Sequence, residues 1–432
     1  MFKRILKLVL IGLGVVLGLM VIGIAAFLFL PRFDAISTSS FTLTPIAPQA
    51  LSSLPAAYPG IDRQPAALPA SNFNTSSTNL PHYDPSSEDV FQVDVRQANL
   101  ATLDLHDRLS DLLMATFDDG TTWPPSDRLP ADFDPQYIME LGRNPGLDVR
   151  SLHAAGINGS GIGIGIIDLT MLTTHQEYAD RLQAYEETDD LAADAPAVEH
   201  GTAVASIAAG KTIGVAPEAD VYFIATRFGN SDSYEHNDFA YLARSLRRLL
   251  EINKSLPPDR KIRVISTSIG WSDQVTGYAE LKSALDDAKA AGILLVNTTM
   301  NEVYDFDLGP GLGRAPTDNP DNFGSYTSGV FWASGRPFAL LRRALEGDSL
   351  YTPMDSRTTA SPTGADEYVF YRMGGTSWSV PYLAGTYALA AQVDPQITPE
   401  RFLTLALRTG RRFPYGIILD PVALIKAIQH GY

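Results

Sequence analysis

The 432-residue chain has no cysteine, which excludes disulfides, thiolate metal sites and a cysteine nucleophile. It has no lysine- or arginine-rich run beyond its first residues. Its 33 Lys+Arg stand against 49 Asp+Glu, a net charge of −16. Phosphate backbones are held by clustered cations, so no nucleic-acid partner is expected. A working phosphate loop is also missing. The glycines at 161, 163 and 165 precede and enter a strand, where a dinucleotide loop would follow one. Gly210-Lys211-Thr212 ends a helix instead of joining strand to helix.

Residues 8–30 carry no charge at all. As a helix they would reach about 35 Å, enough for a tilted bilayer crossing. Lys3, Arg4 and Lys7 precede the run, so its N-terminus is expected in the cytoplasm and all that follows outside. A cleaved signal peptide fits less well, because the run exceeds an ordinary h-region and no small-x-small site follows. Gly14 and Gly18 form a weak helix-packing pair. The first unit is therefore 1–33, a cytoplasmic tip and membrane anchor.

Residues 34–89 are rich in Ser, Thr, Ala and Pro and are expected to form an extended, mobile tether. Residues 90–144 regain apolar content and are expected as a small accessory or pro-region-like element. The main domain is expected over 145–432. Its apolar runs at 162–167, 220–225, 263–268 and 293–297 alternate with helical stretches at 202–209, 239–252 and 278–291. That alternation predicts an α/β fold, a parallel sheet between two helical layers.

Three chemistry-bearing residues stand at element ends. Asp168 closes a buried strand, His200 opens an Ala-rich helix in Glu199-His200-Gly201-Thr202, and Ser377 opens a second apolar helix in Gly374-Gly375-Thr376-Ser377. Singly each reads as a cap or a surface group. Together they supply a nucleophile, a base and a carboxylate to orient the base. Pro381 lacks the N–H that would bond the Ser377 carbonyl, which fits the first turn of a helix.

His-Gly-Thr-x-Val-Ala, Gly-Thr-Ser-x-x-x-Pro and the order Asp, His, Ser resemble the subtilisin-like serine proteases over roughly 145–410. The resemblance implies a three-layer subtilisin-like fold and peptide hydrolysis by Asp168, His200 and Ser377. By it, Asn301 with the Ser377 N–H would form an oxyanion hole. Val264 to Gly270 resembles the family's substrate-pairing strand, which makes Ser268, Ile269 and Gly270 substrate-binding. Gly214-Val215-Ala216-Pro217 matches the family's turn after the His helix. Departures are Leu169-Thr170 after the Asp, Asn297-Thr298-Thr299-Met300 before Asn301, and Trp378-Ser379-Val380 after the serine; the last two groups are expected to reshape the S1 wall. Glu177 aligns with an acid of the family's calcium site, but one carboxylate makes no site, so no metal and no required cofactor is expected and calcium is left open.

The expected function is a membrane-tethered serine endopeptidase facing the outside, with protein or peptide substrates. A catalytically silent subtilase fold used for binding or as a scaffold is the alternative. A sedolisin-type Ser-Glu-Asp site fits poorly beside an intact His200 motif. An α/β-hydrolase would need Gly where Ser379 stands.

Overall fold

A computed structural model describes residues 34–55, 60–73, 77–87, 89–229, 237–330 and 348–432. The apolar run at 8–30, and with it the expected anchor, lies outside them. Among the described residues no helix is long and apolar enough to cross a membrane.

Five strands form the central sheet: β1 (Gly163–Asp168), β2 (Leu182–Glu187), β3 (Asp220–Ala225), β4 (Ile262–Ser266) and β5 (Leu294–Val296). Their order is β2-β3-β1-β4-β5, and every neighbouring pair is parallel. β1 and β3 are buried at every position. A parallel sheet covered on both faces requires this, and it makes these strands legible as unbroken apolar runs. After β1 the chain builds β2 and β3 on one side, then crosses to place β4 and β5 on the other. The strand order therefore reverses at β1, and the crevice at its carboxyl end is where such sheets put ligands.

The helices α1 (Glu199–Ala209), α2 (Ala240–Ser255), α3 (Tyr278–Ala290) and α4 (Thr376–Val393) complete the layers. A Cβ on Gly165 would lie 2.9 Å from Leu249 of α2. The alternation of strand side chains then puts Asp168 on the opposite face, where α1 and α4 pack together against the sheet. Gly385 permits that packing, since a Cβ there would lie 2.7 Å from Val215 and 2.9 Å from the Ala208 carbonyl.

The expected mobile tether is corrected. Its chain is extended, but its described parts are fastened to the main domain. Thr44 exchanges two hydrogen bonds with the Gln429 side chain, at 2.9 and 2.7 Å. Ile46 N–H donates to Ala155 at 2.8 Å. Ser52 N–H donates to Asp259 at 2.7 Å. Gly60 and Asp62 bond the backbone of Tyr185 on β2, covering an otherwise open sheet edge. A segment without an apolar period cannot build its own core, yet its backbone groups can still pair along a neighbour.

Residues 90–144 share an apolar cluster with the main domain: Val93, Val95, Leu112, Phe117 and Ile138 pack with Ile213, Tyr368 and Phe370. The strand Phe117–Asp118 pairs antiparallel with Tyr368–Tyr371, itself in a hairpin with Arg357–Ala360. That hairpin leads directly into the turn before Ser377.

Candidate active site

The site assembles at the carboxyl end of β1. Asp168 is nearly buried, and its Oδ1 accepts the Leu169 N–H at 2.8 Å and faces His200 Nδ1 at 2.6 Å. A carboxylate only accepts, so Nδ1 carries the proton and the Nε2 lone pair is left for chemistry. The donor at position 169 is a backbone N–H, so the departure to Leu169 leaves the carboxylate with its partner. His200 reaches Asp168 because α1 starts hard against the loop after β1: a Cβ on Gly201 would run into the Leu169 carbonyl. A third of the His200 side chain is exposed. Its burial opposes the charged form, but the Asp168 charge and hydrogen bond, with Glu199 behind them, outweigh this and raise the imidazole above its ordinary 6.5.

Ser377 is the second residue of α4. Its hydroxyl donates to the Ser268 carbonyl at 3.4 Å, and no hydrogen bond joins it to His200. The rings of His200 and Trp378 lie 5.5 Å apart, and Tyr371 meets Trp378 edge-on at 5.4 Å. Trp378 is thus buried between the imidazole and Tyr371.

Pro381 lies inside α4, so the Ser377 carbonyl has no helical N–H to accept. Ser268 Oγ donates to it instead, at 2.9 Å. Ser268 and Ser377 therefore hold each other through two hydrogen bonds, which ties the segment after β4 to the start of α4. The orphan carbonyl was visible in the sequence, but its partner was not. Asp355 was missed altogether. It is fully buried, and it accepts the Gly374 N–H at 3.2 Å and the Val330 N–H at 2.7 Å. Burial pushes its carboxyl up, against the pull of Arg372.

Ser268 and Ile269 are half-buried and Gly270 is buried. Ile269 accepts the Thr298 N–H at 3.3 Å, and a Cβ on Gly270 would meet Thr298 Oγ1 at 2.5 Å. Asn301 follows, exposed, in the short helical turn Met300–Glu302, and is not hydrogen-bonded to Ser377. Of the group expected to reshape the substrate wall, Met300 and Asn297 are buried, and Thr298 and Thr299 lie against Gly270.

Calcium does not fit at Glu177. Its carboxylate is buried and engaged by the Thr212 N–H at 2.8 Å, the Thr212 hydroxyl at 2.6 Å and the Tyr368 hydroxyl at 2.6 Å. Among the described residues no group of three or more His, Asp or Glu could hold a metal.

Residues 159–328 match the model of the subtilase family. The match contains Asp168, His200, Ser268 to Gly270 and Asn301, and ends before Ser377. The chain is 28% identical over 313 residues to a probable subtilase-type serine protease of Deinococcus radiodurans, covering 64% of this chain and 40% of that one. It is 26% identical over 295 residues to the subtilisin-like protease PopC of Myxococcus xanthus, covering 61% of this chain and 58% of that one. It thus spans less than two thirds of either relative. The prenylagaramide maturation protease PagA covers 66% of this chain and 99% of its own at 14% identity, with a TM-score of 0.44, too slight a likeness for any argument. The family match and the two relatives support a subtilase.

Proposed function

We propose that the chain is a serine endopeptidase. Ser377 Oγ attacks the scissile carbonyl carbon while His200 Nε2 takes its proton. His200 returns that proton to the departing amine, and water then cleaves the acyl-serine by the same path in reverse. Asp168 orients the imidazole and steadies its charged form. The Ser377 N–H at the start of α4, with the Asn301 amide, stabilises the oxyanion, and Ser268, Ile269 and Gly270 hold the substrate backbone. The substrate is a protein or peptide, with no cofactor and no nucleic acid. The apolar run at 8–30 tethers the enzyme, with the catalytic domain on the outer side of the membrane.

One observation carries the reading: the 2.6 Å Asp168–His200 hydrogen bond at the reversal point of a parallel sheet, beside the helix that starts with Ser377. The names of both relatives point the same way. The test is digestion of a peptide library by the full chain and by Ser377→Ala, read by mass spectrometry. New termini with the parent alone are expected. Equal products from both, with the parent folded, would overturn the reading in favour of a silent fold used for binding.

A further inference from the structure

The residue next to the imidazole is an acid, and a distant part of the chain is built around it. Glu199 is the first residue of α1, and Arg96 Nη1 and the Tyr371 hydroxyl both bond its Oε1. Arg96 belongs to the 90–144 segment and is held in place from several sides. Its Nε lies 2.9 Å from Asp94 Oδ1 and its Nη2 also bonds Asp94. Its guanidinium stands 4.9 Å from the Phe73 ring centre and 5.6 Å from that of Tyr371. The Val95 N–H donates to Thr116 at 2.9 Å, pinning the backbone beside it. The Arg96 side chain is 14% exposed, Glu199 32%. At such burial a paired and an unpaired carboxylate differ in their effect on a neighbouring imidazole.

The charged and polar groups around His200 and its neighbour Glu199 can be followed element by element. β1 supplies Asp168, and α1 supplies Glu199. The strand before the nucleophile supplies Tyr371 and α4 supplies Trp378, both uncharged. The N-terminal segment supplies Arg96, with Asp94 behind it. Glu199 itself acts to raise the imidazole.

We propose that Arg96 is a positioning residue for the catalytic base: the N-terminal segment reaches across to pair Glu199 and so weakens the pull of this second carboxylate on His200, leaving Asp168 the stronger of the two. This rests on His200 being the base. It makes Arg96 a working part of the site and its segment no pro-region to be discarded, in keeping with the apolar cluster that 90–144 shares with the main domain.

The experiment uses the full chain in detergent and a fluorophosphonate, with labelling rates measured across pH. Arg96→Gln frees Glu199, and labelling at the acid end is expected to slow about threefold with the alkaline plateau kept. Glu199→Gln removes the charge, and labelling at the acid end is expected to quicken by a similar factor. Arg96→Lys keeps the charge and restores the parent profile. His200 is also titrated by NMR of histidine-labelled chain, assigned with His200→Gln, so the two opposite displacements are readable even if nothing is labelled. If Arg96→Gln does not fold, the double variant Arg96→Gln/Glu199→Gln is read against Glu199→Gln, and loss of the Arg96 charge is expected to undo part of the quickening; no difference between the two would overturn the proposal. Displacements of one sign, or equal slowing at every pH, would overturn the proposal.

Discussion

The pairing of Ser268 with the Ser377 carbonyl can be measured as a coupling. In the parent, Pro381 withholds a helical N–H, and Ser268 Oγ supplies the missing donor at 2.9 Å. Ser268→Ala leaves a half-buried carbonyl without a partner, at a cost of about 1–2 kcal/mol. In a domain of this size that is a fall of about 2–4 °C in Tm. Pro381→Ala restores an N–H to the helix at the position that bonds the Ser377 carbonyl. In that background Ser268→Ala should cost about half as much or less, because the carbonyl has a second donor. The four chains are compared by thermal and urea unfolding, and the cycle isolates the pairwise energy from the effect of proline on the unfolded state. Labelling of Ser377 by a fluorophosphonate should follow the same pattern, slowed by Ser268→Ala in the parent and less so in the Pro381→Ala background. An equal cost of Ser268→Ala in both backgrounds would refute the reasoning.

Gly385→Ala puts a methyl 2.7 Å from Val215 and 2.9 Å from the Ala208 carbonyl, so it should cost about 1–3 kcal/mol by urea unfolding and slow labelling by prising α1 from α4. Asp355, raised by burial, binds its proton more tightly in the folded state than in the unfolded one. Its contribution is therefore favourable at low pH and falls as pH rises through its folded value, and Asp355→Asn should remove that fall from the stability–pH curve. His153 is depressed by burial, against the Val215 carbonyl that its Nε2 meets at 2.8 Å. The unfolded chain then takes up the proton first, and stability is lost as pH drops below the ordinary 6.5 toward the folded value. His153→Gln should flatten that acid limb in the same unfolding series.

The buried strands were the most legible part of the fold. β1 and β3, apolar at nearly every position, could be read almost to the residue. β2 could not, because Leu-Gln-Ala-Tyr-Glu-Glu is an edge strand with one buried face and half polar residues. The helices Pro399–Thr409 and Pro421–Gln429 carried a start signal that went unused: Thr398 and Asp420 cap them through their side chains, each followed by proline. The Pro- and Ser-rich stretch was legible as extended but not as docked, since it docks largely through its own backbone groups, which leave no trace in side-chain pattern. At the site, Asp168, His200 and Ser377 stood out because each ends an element and needs its own residue type. Asp355 and Arg96 did not, because their partners, Gly374 and Glu199, are distant in sequence and neither pair has a spacing to read.

The central claim is that Ser377 is the nucleophile. It is tested most directly by treating the folded chain with a fluorophosphonate and mapping the adduct by tandem mass spectrometry. The account predicts a single modification on Ser377, abolished in His200→Ala. A modification on another serine, or an adduct on Ser377 formed equally well without His200, would contradict it.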